Sequence, residues 1–361
     1  MNLHVGLDIS QRKTAICVIN DKGKMIAEGS SLTLPSDIHS WLVGKAIDLT
    51  AIQGVCLEAG AMSSFIYKGL EALGLPVTCV EAFQAHQFLK AQRNKTDKND
   101  ARGLAQYIRM GGDYIRPVIV KDIVTQESRI LLTLRQKYVK EKVAMENAIT
   151  GVLKPFGIIV PRGRASVNNF CTDYAETIAK ADTLGPTLRE AVLESLDAYQ
   201  VVNELLEKVT KKINWIAKEH PVCRRLMTAP GVGPIVALSF VTAIDTPHRF
   251  RKSADVAAYL GLTPKKYQSG EVDTDLGISK FGSSMTRMHL VGSATTLLYS
   301  SKKWSSLRAW GMKIAKRRGY HIARVAVARK LAVILHRMWI TEQDFRWSTD
   351  REVEIAAADA A

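Results

Sequence analysis

The sequence is poor in cysteine, has no long apolar run and lacks acidic residues over one large segment. Its five cysteines are an odd number, scattered and without Cys-x-x-Cys spacing, which argues against a disulfide framework and a zinc ribbon. No apolar run approaches the roughly 18 residues of a membrane span, and no signal-peptide pattern is present. We therefore expect a cytoplasmic protein that makes no use of a membrane. With 361 residues, 47% of them hydrophobic, the chain has room for two or three domains.

The segment that lacks acidic residues is in the C-terminal third of the chain. From Leu276 to Ile340 there are thirteen Lys or Arg and no Asp or Glu, in a chain of net charge +15. A solvated helix face usually mixes both signs, so this segment predicts a polyanionic partner, with nucleic acid first. An anionic membrane surface is the weaker alternative, because these helices lack a free apolar face. The predicted nucleic-acid-binding residues are Lys280, Arg287, Lys302, Lys303, Arg308, Lys313, Lys316, Arg317, Arg318 and Arg324.

Four acidic residues in the first hundred positions lie on predicted elements. Asp8 belongs to the first alternating apolar run, and Glu58 ends a later one. Asp97 and Asp100 share one face at the start of a helical pattern. Carboxylates from two strands and a helix suit a hard cation such as Mg²⁺. Two such ions about 3.5–4 Å apart hold the attacking and leaving oxygens of a phosphoryl transfer.

Each acid taken alone has a simpler interpretation. Asp8 is compatible with the solvated face of a strand, and Glu58 with an ordinary strand end. Thr96 or Asp97 is compatible with a helix N-cap, and Asp100 then stabilises the first turn. Their combination, in this order and on these elements, favours a metal site over the four separate interpretations.

Residues 1–116 are predicted to be a mixed α/β domain. Three strands joined by short turns come first, and helices and strands then alternate, which is the order of a ribonuclease-H-like domain. Fold alone does not give function. The predicted strands are 2–9, 14–20, 24–30, 52–58 and 76–81, and the predicted helices are 36–47, 61–73, 83–91 and 97–110.

Residues 117–220 are predicted to contain two long helices, 122–154 and 187–218, separated by a loop within 157–166. The second helix has heptad spacing, which indicates either a coiled coil that dimerises the protein or a helical hairpin within one chain. The pattern alone leaves both open. The heptad positions are Tyr199, Val202, Leu206, Val209, Ile213 and Ile216.

Residues 221–345 are predicted to form a helical domain, and residues 346–361 a disordered tail without periodicity. Within the helical domain, Pro230-Gly231-Val232-Gly233-Pro234 joins two apolar runs. A glycine turn that opens a helix exposes N–H groups able to hold a phosphate. A tight helix–helix connection is the alternative.

These motifs resemble the DEDD transposase family of insertion sequences, the bridge-RNA-guided recombinases that include the Piv invertase. The resemblance covers nearly the whole chain, with a RuvC-like half followed by a transposase half. The matching segments are Gly6–Ser10, Leu57–Ala59, Asn94–Ala101, Pro230–Pro234, Leu260–Pro264, Ser269–Gly270 and Ser279–Gly282.

The resemblance implies a RuvC-like catalytic domain over 1–116 and a helical transposase domain over 221–345, on either side of the long helices or coiled coil that the heptad pattern predicts over 117–220. It implies that Asp8, Glu58, Asp97 and Asp100 are the Mg²⁺-binding tetrad. It further implies donor and target DNA as substrates, a bridge RNA that pairs with both, and a homodimer that assembles into a tetramer.

The resemblance also implies that Ser269 is the nucleophile and becomes covalently linked to a DNA phosphate. From the residues alone, a serine before glycine is most often a turn residue. The histidines closest to it in sequence are His248 and His289. Activation is therefore expected from the metal site, supplied by another domain or subunit.

Three other functions are compatible with these residues. A site-specific DNA invertase of the same family has the same motifs. A Holliday-junction-type nuclease uses the acids to activate water and does not need Ser269 or the helical domain. An architectural nucleic-acid-binding protein, in which the acids are structural, shows no cleavage.

Overall fold

The computed structural model describes residues 1–90, 94, 96–111, 115, 117–159, 178, 181, 183–269, 272–301 and 304–347. Two compact units divide the chain, Met1–Asp122 and Ile123–Ala361. Within the described ranges, no helix is long and apolar enough to cross a membrane. The predicted tail from 348 onward, Lys302, Lys303 and most of the predicted loop lie outside these ranges.

The first unit is built on a five-stranded sheet of order β3-β2-β1-β4-β5. β2 runs antiparallel to β1 and β3, whereas β4 is parallel to β1 and β5 is parallel to β4. This unit confirms the predicted mixed α/β architecture. Its strands are Leu3–Ile9 (β1), Lys13–Asn20 (β2), Met25–Leu32 (β3), Ile52–Glu58 (β4) and Val77–Val80 (β5), and its helices are Pro35–Gly44 (α1), Ser63–Ala72 (α2), Ala82–Leu89 (α3) and Asp97–Met110 (α4).

β1 is the central strand, and its two faces pack against different layers. Leu3, Val5 and Leu7 are buried in an apolar core with residues of α1 and α2. The intervening residues face the opposite side, because side chains alternate along a strand. On that side Gly6 lies against α4. The alternation seen in the sequence therefore separates an apolar core from a face that carries Asp8.

The second unit is mostly helical. The helix Pro234–Ile244 (α8) is buried from Ala237 to its end, and its residues belong to the largest apolar core. The helices are Ile123–Leu153 (α5), Pro186–Glu219 (α6), Pro221–Leu226 (α7), Pro234–Ile244 (α8), Ser253–Tyr259 (α9), Ser284–Tyr299 (α10), Ser306–Arg318 (α11) and Tyr320–Thr341 (α12), and the strands are Pro264–Ser269 (β6) and Val272–Ile278 (β7).

The two long helices, α5 and α6, pack against each other within the chain as an antiparallel hairpin. Arg135 Nε donates a hydrogen bond to Thr210 Oγ1 at 3.1 Å, and the Tyr199 hydroxyl donates one to Glu146 Oε1 at 2.8 Å. Glu146 follows Arg135 on α5, whereas its partner Tyr199 precedes Thr210 on α6, so the two helices run antiparallel. The heptad positions therefore serve an intramolecular helical hairpin, one of the two interpretations that the pattern left open.

The antiparallel hairpin of β6 and β7 lies within 221–345, where the sequence predicted a helical domain and no strands. β6 has no alternating apolar pattern, but along β7 Val272, Leu276 and Ile278 occupy alternate positions, a strand signal that the sequence prediction did not use. The hairpin is a local β element inside a helical unit, and it presents the segment that contains Ser269.

Candidate active site

Asp8 and Glu58 lie side by side at the carboxyl ends of two adjacent parallel strands. Leu7 of β1 is in register with Leu57 of β4, so the residues that follow them are also aligned. Gly6 is in register with Cys56, and Cys56 packs with Leu104 and Tyr107 of α4. Alternation therefore directs Asp8 and Glu58 toward the α4 side of the sheet. Both carboxylates are half-buried.

α4 runs antiparallel to β1 across this face. Its middle touches Gly6, where a Cβ would overlap the Ala101 carbonyl oxygen and the Ala105 nitrogen. Its C-terminal part lies near the opposite end of the strands: Gln106 Nε2 donates to the Gly23 carbonyl at 3.3 Å. A Cβ on Gly54, near the start of β4, would lie 2.7 Å from Ile108. The N-terminus of α4 therefore points toward the end of the sheet that carries Asp8 and Glu58.

The first turn of α4 supplies the other two acids. Thr96 is the N-cap, and its hydroxyl accepts a hydrogen bond from the Asn99 backbone N–H at 3.2 Å. Asp97 is one turn before Ala101 on the same helix face, about 6 Å along the axis. Gly6 and Asp8 are separated by about 6.6 Å along β1, so the first turn of α4 reaches over Asp8. The N-cap interpretation holds for Thr96, and Asp97 and Asp100 remain available as ligands.

The donor set fits a hard divalent cation, because carboxylate oxygens are the ligands that Mg²⁺ prefers. The side chains are not gathered into a coordination sphere, however. In the described part of the chain, no group of three or more His, Cys, Asp or Glu side chains is close enough to hold a metal ion. The backbone elements thus align the four acids at one end of the sheet, and the side chains do not converge there.

Two buried thiols lie close to Glu58. Burial, with the charge of Glu58 among the smaller causes, raises the pKa of Cys56 to about 12 and the pKa of Cys79 to about 11. Both thiols are therefore neutral at physiological pH, so neither is a thiolate nucleophile. The four described cysteines, Cys17, Cys56, Cys79 and Cys223, are all free and buried, as the absence of a disulfide pattern predicted.

Ser269 is the last residue of β6. Its backbone pairs with Val272 of β7 across residues 270 and 271, which lie outside the described ranges. The pairing places Ser269 at the end of β6, so the structure describes it as a strand residue. Ser269 belongs to the second compact unit and the acidic tetrad to the first.

The other end of the hairpin is held by two glycine-containing loops, Leu260–Thr263 and Ser279–Gly282, here named the hairpin clasp. Ser279 N–H donates to the Thr263 carbonyl at 2.9 Å, and Lys280 N–H donates to the Gly261 carbonyl at 3.1 Å. Gly261 and Gly282 both have φ of +68°; a Cβ on Gly261 would overlap the Phe281 backbone, and one on Gly282 would overlap the Tyr259 carbonyl oxygen at the end of α9. The hairpin clasp therefore requires glycine at both positions, because each has a positive φ and each lies too close to neighbouring backbone for a side chain.

Arg287 ties the hairpin clasp to α10. Its Nη1 donates to the Leu260 carbonyl at 2.9 Å and to the Phe281 carbonyl at 2.7 Å, one acceptor in each loop. Burial lowers the pKa of this guanidinium. Arg287, predicted as a nucleic-acid contact, thus has a structural role that the sequence did not reveal.

Gly231 in the Pro230–Pro234 motif has φ of +77°, and a Cβ there would lie 2.6 Å from the Ser293 carbonyl oxygen of α10. The motif therefore connects α7 to α8 tightly against a third helix, which agrees with the connection interpretation. Phosphate binding at this turn stays a prediction.

The predicted basic residues are concentrated around α11. Lys313, Lys316, Arg317 and Arg318 are exposed along this helix and at its C-terminal end. Arg324 on α12 is half-buried, with Nη2 2.7 Å from Nδ1 of His321. Arg308 contacts the ring of Trp304, an exposed tryptophan beside Lys302 and Lys303 that the sequence reasoning did not single out.

Family comparisons match both halves of the chain. Residues 5–157 match the DEDD transposase domain of the IS110 type, and residues 223–309 match the Transposase IS116/IS110/IS902 family. The chain is similar to the transposase for insertion sequence element IS1111A of Coxiella burnetii, with 28% identity over 348 residues, 95% of this chain and 91% of that protein. It is also similar to the transposase for insertion sequence element IS1328 of Yersinia enterocolitica, with 26% identity over 281 residues, 78% and 81% of the two chains. Two regions of the chain thus match the two domains of IS110/IS116-family transposases, and its relatives over most of its length are insertion-sequence transposases.

Proposed function

We propose that this chain catalyses DNA strand cleavage and exchange for an insertion sequence, with a Mg²⁺-binding acidic tetrad and Ser269 as the nucleophile. The observation that carries the proposal is the alignment of Asp8 and Glu58 at the ends of adjacent parallel strands, with the first turn of α4 above them. The four carboxylates are Asp8, Glu58, Asp97 and Asp100, and two bound Mg²⁺ ions would stabilise the charge that develops on the attacking and leaving oxygens.

In this proposal the four carboxylates bind the cations, and the bound cations contact the DNA phosphate. Four carboxylates at one end of a sheet repel each other, and a divalent cation relieves that repulsion. The positive end of the α4 dipole also favours negative charge at Asp97 and Asp100. Both effects favour a site that assembles when metal and phosphate arrive.

Ser269 attacks the scissile phosphodiester in this proposal. The hydroxyl loses its proton, its oxygen bonds to phosphorus, and the bond from phosphorus to the leaving deoxyribose oxygen breaks as that oxygen takes up a proton. A serine hydroxyl needs a base or a cation to become nucleophilic. The resemblance assigns this activation to the tetrad of another domain or subunit, within a dimer that pairs into a tetramer.

A bridge RNA is the proposed source of target choice. The exposed cations of α11 suit phosphate backbone, which carries affinity without sequence information. Base pairing by an RNA would supply the sequence information, as in other guided systems. Sequencing the RNA that co-purifies with the full chain tests this point; a structured RNA complementary to both donor and target is expected, and its absence would contradict guidance.

A labelled suicide substrate tests the chemistry. Wild type with Mg²⁺ should cleave it and migrate with it on a denaturing gel, whereas Ser269→Ala should do neither while still binding DNA. Cleavage that persists in Ser269→Ala, with no adduct in wild type, would mean that the tetrad activates water as in a junction-type nuclease. Ser279→Ala, a serine in the hairpin clasp, is the matched control and should retain the adduct.

A further inference from the structure

A cleft of about 580 Å³ opens between α11 and the start of α12. Trp304, Met312, Lys313, Lys316 and Tyr320 line it, and we name it the Trp304 cleft. Its volume falls in the range of about 300–1,000 Å³ typical of sites for small ligands. Aromatic, aliphatic and cationic groups therefore share one concave surface in the acid-free segment of the chain.

The aromatic rings at this surface are unusually exposed. The exposed fractions are 62% for Trp304, 59% for Tyr299 and 40% for Tyr320. Tyr299 and Tyr320 stack on each other, with ring centroids 4.8 Å apart and an interplanar angle of 26°. Large aromatic side chains usually bury most of their area, so an exposed group of three indicates a binding surface.

Trp304 is held in place before any ligand arrives. The guanidinium of Arg308 lies 5.1 Å from the centroid of the indole ring, a cation–π contact. Arg308 Nη1 also donates a hydrogen bond to the Ser301 carbonyl at 2.7 Å, which fixes the arginine. Arg308 is thus a positioning residue, and a ring ordered in advance loses little conformational entropy on binding.

The charge around the cleft is positive and not neutralised. Lys313 and Lys316 line the cleft, and Arg317 and Arg318 follow on the same helix. The segment from Leu276 to Ile340 has no acid, and none of these four cations forms an ion pair with any residue that the structure describes. Exposed rings beside unpaired cations suit a ligand that has both a flat aromatic face and a negative group.

We propose that the Trp304 cleft binds an unpaired nucleotide, whose base stacks on the exposed rings and whose phosphate pairs with Lys313 and Lys316. Duplex nucleic acid keeps its base faces inside the stack, whereas a single strand offers them. The inference rests on the proposed function. It specifies that the nucleic acid bound at this cleft is single-stranded, either a displaced DNA strand or an RNA loop.

Binding of fluorescent oligonucleotides to the full chain in EDTA tests the proposal. The probes are a single-stranded RNA, a single-stranded DNA and a blunt DNA duplex of equal length. Trp304→Ala should weaken binding of at least one single strand by about 5- to 150-fold, since one base–aromatic stack has that effect. Duplex affinity should change less than about twofold. A loss of affinity for only one single strand identifies DNA or RNA as the ligand. A loss for both supports a cleft that binds an unpaired nucleotide of either kind.

Trp215 is the matched control, because it is 65% exposed but lies on α6 and does not line the cleft. Trp215→Ala should leave all three affinities unchanged, and Trp304→Phe should retain most of the single-strand affinity. An unchanged single-strand affinity in a folded Trp304→Ala variant would overturn the proposal, as would an equal loss for single strands and duplex. Because EDTA removes the chemistry, a failure of the Ser269 mechanism does not affect this result.

Discussion

The backbone of Gly6 in β1 lies directly against the backbone of Ala101 in α4, too close for any side chain between them. This contact brings the first turn of α4 to within reach of Asp8, two residues further along the strand. The absence of a side chain at Gly6 therefore sets the distance between the sheet acids and the helix acids.

Gly6→Ala should strongly destabilise the first unit. The added methyl overlaps the Ala101 carbonyl, so α4 must move off the sheet, at a cost of about 3 kcal/mol or more. Gly44→Ala is the control, because no atom lies within 4 Å of a Cβ built there. Urea unfolding followed by circular dichroism should show a change of less than about 1 kcal/mol for the control. Equal midpoints for the two variants would contradict the close contact.

Asp8→Asn and Glu58→Gln should remove stabilisation by Mg²⁺ without unfolding the protein. Wild type should melt at a higher temperature in Mg²⁺ than in EDTA, because cation binding relieves the repulsion between carboxylates. Each variant should lose this shift and melt no lower than wild type in EDTA. Glu71→Gln, an exposed carboxylate on α2, should keep the shift. A Mg²⁺-induced shift that survives in both tetrad variants would place the metal elsewhere.

Replacing Lys316, Arg317 and Arg318 together with Gln should weaken nucleic-acid binding and flatten its salt dependence. Each lost phosphate contact reduces the slope of log K against log salt by about 0.7–0.9. The matched control replaces Lys208, Lys211 and Lys212 on α6, three exposed cations outside the acid-free segment. If the two triple variants have the same slope as wild type, the basic end of α11 is only a solvated surface.

His289 should make the second unit less stable in mild acid. Burial, and the nearby positive charge of Arg135, lower the pKa of His289 to about 4. The unfolded chain takes up a proton near pH 6.5 and the folded chain only near pH 4, so stability is complete above 6.5 and falls between these values. Because the ring is only partly buried, the loss at pH 4.5 should be at most about 2 kcal/mol.

The measurement for His289 compares urea unfolding at pH 7.5 and pH 4.5 for wild type and His289→Gln. The variant should lose less stability between the two pH values, because glutamine does not titrate. His336, whose pKa is also lowered by burial, is present in both proteins and contributes equally. The same pH dependence in both proteins would show that His289 is not the group responsible.

Local pattern predicted the elements of the first unit well. The helix predicted over 97–110 is α4, Asp97–Met110, and its start follows from Thr96 as N-cap. The strand that ends at Glu58 was also predicted with its observed bounds. Capping and alternation are short-range effects of hydrogen bonding and side-chain direction, so neighbouring residues suffice to predict them.

Contacts between distant segments were not predictable in the same way. The heptad spacing of α6 fits a second subunit as well as α5, and the packing of α6 on α5 became visible only in contacts such as Tyr199 with Glu146 and Arg135 with Thr210. β6 lacks a strand pattern, and the hairpin clasp holds it against β7 through backbone contacts at Gly261 and Gly282. Tertiary backbone contacts override local preference there.

The sequence by itself predicted that four acids lie on two strands and a helix, and it contains a serine before a glycine and a long basic segment without acids. These are properties of residue type and spacing, and they carried the family resemblance. Tertiary structure alone decided that α4 lies antiparallel over β1, so that its first turn meets the strand ends, and that Tyr299, Trp304 and Tyr320 share one surface. Such proximities depend on how apolar faces pack between residues far apart in sequence, and no local periodicity encodes that packing.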